Sequence, residues 1–206
     1  MVAHTLYGIV FCLKDCGDLT GARQTLEQSR ALFQECGDGL RVSKDNTDLA
    51  GIAINEGRYA EARKFCEEAL PFFRQLRFSL RDEPLWILGA IAIIEGNYAI
   101  AKAWYRECLL FDQEIGVYNQ FPECLIGFAS IASSEKHFER AAQLIGQAET
   151  AVKARQDPLE DFDQAELQRL QILLKEELGE QFEEMAAKGG VMSQEQAIAF
   201  ALEQIE

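Results

Sequence analysis

Residues 85–112 read LWILGAIAIIEGNYAIAKAWYRECLLFD, and this stretch decides the fold. Its first part, up to Ile94, is a continuous apolar run. Its second part places Tyr105, Cys108 and Leu109 four, seven and eight positions after Ala101, which is the spacing of one face of an α-helix. Gly96 lies between the two parts, where a residue of left-handed conformation ends a helix. The stretch therefore predicts two helices joined by a tight turn.

The same pattern recurs along the chain with a period of about 40 residues. Two markers recur at spacings of 40, 39 and 40. The small residue is Ala22, Ala62, Ala101 and Ala141. The larger apolar residue is Leu19, Tyr59, Tyr98 and Phe138. Glycine precedes three of these copies, at positions 17, 57 and 96. The small residue lets the second helix of each unit approach the first closely. The sequence therefore predicts helix–turn–helix units whose stacking buries one continuous core.

Composition supports a globular, all-helical protein. Of the 206 residues, 48% are hydrophobic and 26% are charged, and the 4 prolines and 15 glycines are too few for the turns of an all-β protein. The net charge of −14 argues against binding to nucleic acid or to an anionic membrane. No run of 18 apolar residues occurs, and the short run at 6–13 lacks the basic residues and cleavage site of a signal peptide.

Reactive side chains give no catalytic pattern. The six cysteines include no C-x-x-C pair, and we interpret them as reduced, mostly buried thiols of a cytoplasmic protein. The alternative interpretation is a metal site formed by His4, Cys12 and Cys16, but a fourth ligand is missing. His137 is predicted to be solvated in a turn and is not assigned to a nucleophilic pair. We therefore expect no metal, no cofactor and no enzyme activity.

The repeats resemble the tetratricopeptide family. Leu88-Gly89, Gly96-Asn97-Tyr98 and Ala101 with Tyr105 meet the family signature in the third copy, and the other copies meet it in part. The period is longer than the family's 34 residues, and we assign the extra residues to loops at 37–43 and 77–83. The resemblance implies a right-handed α-solenoid of four repeats at about 3–36, 44–76, 82–115 and 120–155, which together form a domain of residues 1–158.

A narrower resemblance covers the C-terminal third, including residues 125–132, 141–149 and 192–203. These segments look like the carboxyl end of bacterial LuxR-type and MalT-like transcription regulators and of other multidomain signalling proteins. The chain contains no P-loop, no kinase-type glycine-rich loop and no basic recognition helix. The resemblance therefore implies a sensor or interaction region without the output activity.

Residues 159–206 are predicted to be a C-terminal helical cap. An apolar stripe marks one or two helices over 162–188, Gly189-Gly190 is expected to break them, and Ser193 with Gln196 forms a capping box for a last helix through Ile205. At the other end, the first helix has no preceding repeat to cover its apolar residues. A homodimer through this helix, or further domains upstream, would each cover them.

The tetratricopeptide resemblance also implies a ligand site, because the first helix of each repeat lines the concave groove in that family. The groove positions would present an apolar, partly aromatic wall with polar rims, which suits a peptide. The residues predicted to contact a partner are Tyr7, Phe11, Lys44, Ile54, Asn55, Glu83, Trp86, Ile93, Ile94 and Ser130. The alternative for Trp86 and the isoleucines is packing between neighbouring helices.

The predicted function is therefore non-catalytic binding of a protein or peptide, as the sensor or interaction region of a bacterial signalling or transcription regulator. Two alternatives stay open. The chain is a free-standing scaffold that assembles a complex, or it senses a small molecule or oligopeptide in its concave groove.

Overall fold

The computed structural model describes residues 6, 9–10, 12–13, 16–76, 82–155 and 158–203. These residues form ten helices and no strand, which confirms the predicted all-α fold class. The helices are α1 (Leu19–Glu35), α2 (Gly39–Asn55), α3 (Tyr59–Leu76), α4 (Asp82–Ile94), α5 (Tyr98–Ile115), α6 (Phe121–Ser134), α7 (Phe138–Arg155), α8 (Asp161–Leu178), α9 (Gln181–Gly190) and α10 (Gln194–Leu202). Tyr7 and Phe11 of the predicted groove, and most of the first predicted helix, lie outside the described residues.

Tight turns of one kind join the helices of each predicted repeat. Gly17, Gly57 and Gly96 have φ angles of 75°, 73° and 73°, so the expected left-handed residue is present in each. The residue after each glycine donates its N–H to a carbonyl five positions earlier, as Asn97 does to Ala92 at 2.8 Å. In the fourth copy Lys136 adopts the left-handed conformation, with φ 64°, where the other copies have glycine.

The four recurring alanines, Ala22, Ala62, Ala101 and Ala141, are fully buried. This burial agrees with the close helix approach that the repeat pattern predicts.

The chain divides into two compact units, residues 1–87 and 88–206, and the division falls inside α4. In the first unit α2 packs against both α1 and α3. Its core includes Leu26, Leu49, Ile52 and Phe73, each no more than 1% exposed. The prediction of a loop at 37–43 is wrong, because α2 already begins at Gly39. Asp38 caps this helix by accepting a hydrogen bond from the Arg41 N–H. Part of the longer period therefore lies in helix.

In the second unit α7 is the central helix, since it packs against α6, α8, α9 and α10. The start of α6 is joined to the end of α7 by Arg155, which donates to both carboxylate oxygens of Glu123 at 2.8 and 3.2 Å. The same guanidinium donates to the carbonyl of Asn119 at 2.7 Å. This bidentate ion pair satisfies a nearly buried carboxylate.

The C-terminal helices differ from the prediction in two respects. The break falls at Gly179, with φ 56°, while Gly189 and Gly190 belong to the last turn of α9. The predicted capping box at Ser193 is present and opens α10, which ends at Leu202 and not at Ile205. Gly189 has a different role, because a Cβ atom there would collide with the Gln143 carbonyl of α7. Glycine thus allows two backbones to touch.

Candidate functional site

The predicted groove residues divide by burial. Ile54, Trp86 and Ser130 are only 2%, 3% and 3% exposed, so burial favours core packing for these three. Lys44, Asn55, Glu83 and Ile93 are half-buried, and Ile94 is 38% exposed. Of the described groove residues, therefore, only the second group is accessible to a partner.

Ser130 is used within the fold. Its hydroxyl lies 3.2 Å from the Ile126 carbonyl and 2.5 Å from Glu166 Oε1, a residue of α8. The Glu166 carboxylate also accepts two hydrogen bonds from the Arg169 guanidinium, both of 2.7 Å. Ser130 therefore joins α6 to α8. Nothing local in the sequence pairs Ser130 with a residue 36 positions later.

Three exposed apolar residues lie close together in sequence where α4 ends and α5 begins. Ile94, Tyr98 and Ile100, which we call the apolar turn, are 38%, 38% and 49% exposed. The repeat spacing predicts Ile94 as a groove residue, whereas Tyr98 is predicted only as a repeat marker. Arg169 lies nearby: its pKa is raised mainly by the hydrogen bond to Glu166, and Tyr98 adds to the effect. The apolar turn thus has a charged neighbour on α8.

The first unit holds a buried polar cluster that sequence reasoning did not find. Asn46 is 3% exposed, accepts from Arg30 at 3.1 Å and donates to Glu68 at 3.3 Å. Next to it in sequence, Asp45 is 1% exposed. Burial raises the pKa of Asp45 to about 6, and a hydrogen bond with the Ser29 side chain opposes the shift. The cluster ties α1 and α3 to α2 through side chains.

A cavity of about 180 Å³ opens in the second unit between α5, α6, α7 and α10. Its lining is mixed, with Phe128, Ile131, Ala132 and Ala201 as apolar residues and Lys102, Glu135, His137, Arg140 and Glu203 as polar ones. His137, expected to be solvated, is half-buried here. The repeat pattern gave no signal for this cavity because its lining comes from four helices.

Arg140 holds the end of α10 beside this cavity. Its guanidinium donates to the carbonyl oxygens of Phe200 and Glu203 and lies 3.5 Å from the Glu203 carboxylate. It also stacks over the Phe200 ring, 4.3 Å from the centroid. One side chain of α7 therefore anchors the C-terminal helix.

The cysteines only partly follow the prediction. Cys66, Cys108 and Cys124 are buried, and burial raises the pKa of the Cys66 thiol well above its usual range. Cys12, Cys16 and Cys36 are exposed, so the prediction of mostly buried thiols is wrong for half of them. In the described ranges no three His, Cys, Asp or Glu side chains are grouped to hold a metal ion.

No helix among the described residues has the length and apolar character needed to cross a bilayer.

Comparison with known proteins supports the repeat family. Residues 83–115, which include nearly all of α4 and all of α5, match the tetratricopeptide repeat. This is the segment whose signature residues are the most complete in the sequence. The curated proteins include no match to this chain. Tetratricopeptide repeats typically mediate contacts between proteins, and this coarse role is what the match supports.

Proposed function

We propose that this protein is a non-catalytic module that binds a partner protein or peptide. The observation that carries the proposal is the apolar turn, a set of three exposed apolar residues inside the segment that matches the tetratricopeptide repeat. Exposed apolar surface on a repeat scaffold is typical of interaction sites. All-helical repeats of this kind are typically not enzymes, which agrees with the binding role.

The partner would insert an apolar side chain against Ile94 and Tyr98. Binding energy concentrates in a few apolar and aromatic anchors, and Tyr98 offers both a ring and a hydroxyl. Ile93 lies beside them on α4 and is half-buried. Lys44, Asn55 and Glu83 of the first unit remain separate proposed partner contacts, as the repeat resemblance implies.

Peptide selection followed by titration tests this role. Peptides are selected from a displayed random library against the purified chain, and one selected peptide is titrated by calorimetry. Ile94→Asp should weaken its binding at least about tenfold, because a carboxylate would be desolvated against the apolar anchor. Val191→Asp is the control, since Val191 is 83% exposed directly after α9, a helix that packs against α7 and α8.

A peptide that binds both variants as it binds the unmodified chain would refute the apolar turn as the docking surface. Failure of the library to give any binder for the folded chain would argue against peptide binding itself.

The biological setting is a further part of the proposal. The resemblance of the C-terminal third supports an interaction or sensor region of a bacterial, cytoplasmic signalling or transcription regulator. Free-standing scaffolding and sensing of an oligopeptide in the groove are the alternatives. A homodimer through the first helix is also proposed. Analytical ultracentrifugation of the unmodified chain and of Leu6→Glu tests it, because the substitution should convert the dimer to a monomer.

A further inference from the structure

We propose that the cavity between α5, α6, α7 and α10 binds a free α-amino acid with an apolar side chain. No residue of the apolar turn lines this cavity, and the proposal does not depend on peptide binding. The proposal rests on the size of the cavity, on lining side chains of both charge signs that have no partner among the described residues, and on the apolar floor of the cavity.

The size suits a small molecule. A cavity of about 150 Å³ in a protein interior is enough to hold benzene. At about 180 Å³ this cavity has room for the side chain of leucine or phenylalanine, with the polar end at the mouth. Phe128, Ile131 and Ala201 would contact that side chain, and each is no more than 4% exposed. They therefore form a preformed apolar floor.

Hydrogen-bond donors on basic side chains at the cavity can hold a carboxylate. Within the described part of the chain, the side chains of Lys102 and His137 make no ion pair and no hydrogen bond. Both are half-buried and line the same cavity as Arg140. In a chain of net charge −14, this grouping of basic side chains is a local exception. A carboxylate placed here would accept charge-assisted hydrogen bonds, which are about twice as strong as neutral ones.

Anionic groups at the same cavity can hold an ammonium. Glu135 is exposed and likewise has no side-chain partner among the described residues, and the Glu203 carboxylate is only 3.5 Å from one guanidinium nitrogen. The last turns of α6 and α10 also line the cavity. Because helix C-termini carry partial negative charge, they favour a cation. The presence of both signs points to a zwitterion and not to a simple acid or amine.

Calorimetric titration of the full chain with L-leucine and L-phenylalanine tests the proposal. We expect saturable binding of at least one of them, with one molecule per chain. For leucine, two analogues separate the ligand classes: 4-methylpentanoate lacks the ammonium and 3-methylbutylamine lacks the carboxylate. Each should bind at least about tenfold more weakly than leucine, since each loses one charged contact. Phenylalanine has the matched pair 3-phenylpropanoate and 2-phenylethylamine, with the same expectation.

Two substitutions locate the site. Lys102→Gln and Glu135→Gln should each weaken amino-acid binding about tenfold or more, because each removes one charged group from the lining of the cavity. Lys153→Gln on the exposed side of α7 is the control and should leave affinity unchanged. The far-ultraviolet circular dichroism of each variant checks that it is folded.

Three results would overturn the inference. They are no binding of either amino acid to the folded chain, equal affinity for the amino acid and its matched carboxylate or amine, and unchanged affinity in Lys102→Gln. Peptide binding at the apolar turn would be unaffected by any of them, so the two proposals stand or fall separately.

Discussion

The ring of Tyr105 packs against two glycines of neighbouring helices, Gly89 in α4 and Gly127 in α6. A Cβ atom added at either glycine would collide with the ring, and the Tyr105 side chain is only 3% exposed. Burial also raises the pKa of the Tyr105 phenol well above its usual range, so the group stays neutral. Two glycines thus admit one large aromatic side chain.

Gly127→Ala should therefore destabilise the protein by about 1–3 kcal/mol, since the added methyl group overpacks a filled space. Gly51→Ala is the matched control, because Gly51 is also inside a helix but no atom lies within 4 Å of an added Cβ. It should stabilise the protein by about 0.5–1 kcal/mol through helix propensity. Urea denaturation of both variants measures the two free energies, and equal signs would contradict the packing argument.

Asp45 makes the stability of the folded protein depend on pH. Its folded-state pKa is about 6 against 3.8 for an unperturbed aspartate, mainly because of burial. The folded state therefore binds a proton at a higher pH than the unfolded state does. Unfolding free energy should rise as the pH falls from about 7 towards 4, with Asp45 contributing up to about 3 kcal/mol.

Asp45→Asn tests this contribution, because the amide does not titrate. The variant should lose most of the gain in stability between pH 7.5 and pH 5 that the unmodified chain shows in urea denaturation. Asp161→Asn, at an exposed position at the start of α8, should keep that gain. An unchanged pH profile in Asp45→Asn would show that the Asp45 carboxyl is not buried as described.

At the scale of helices, α9 depends on glycine for its contact with α7. A Cβ at Gly146 would collide with the Ala186 carbonyl, just as one at Gly189 would with the Gln143 carbonyl. Backbone atoms cannot move aside as a flexible side chain can. The two helices therefore pack closely only while both positions lack a side chain.

Gly189→Val should separate α9 from α7 while leaving most of the fold in place. Hydrogen exchange should then show loss of amide protection over residues 181–190, with protection in α6 retained. Ala187→Val is the control, since Ala187 is exposed on the same helix. Retained protection of α9 in Gly189→Val would mean that the close approach is not required.

At the scale of the whole molecule, the excess of negative charge acts against the stability of the folded state. The chain has 34 acidic and 20 basic residues, and the segment from residue 151 to the end contributes a large acidic excess. Like charges repel one another in the compact state, and salt screens this repulsion over a Debye length of about 10 Å at 0.1 M. The acidic C-terminal segment includes the exposed Glu176, Glu177 and Glu180.

Raising sodium chloride from 0.05 to 0.5 M should therefore raise the melting temperature. Replacing Glu176, Glu177 and Glu180 together by glutamine should raise the melting temperature at low salt and reduce the further gain from salt. Differential scanning calorimetry measures both. A melting temperature that falls with salt would show that favourable ion pairs, such as that of Glu123 with Arg155, outweigh the repulsion.

The amino-acid sequence by itself determined the helices and the turns within the predicted repeats. These features are local: Gly17, Gly57 and Gly96 supply the left-handed conformation, and periodic apolar residues define one buried face of a helix. The sequence also identified the recurring alanines, because a small residue at a fixed period indicates the same close contact between helices in each repeat. The break at Gly179 was missed, since Gly189-Gly190 gives an equally strong local signal.

Only the tertiary structure decided which of the predicted groove residues are exposed to a partner. Trp86 and Ser130 have the same groove spacing as Ile94, yet they are buried and Ile94 is exposed. The cavity with Lys102 and Arg140, and the contact of Gly189 with α7, join residues far apart in sequence. Such contacts depend on how separate helices pack, and periodicity within one helix carries no information about that packing.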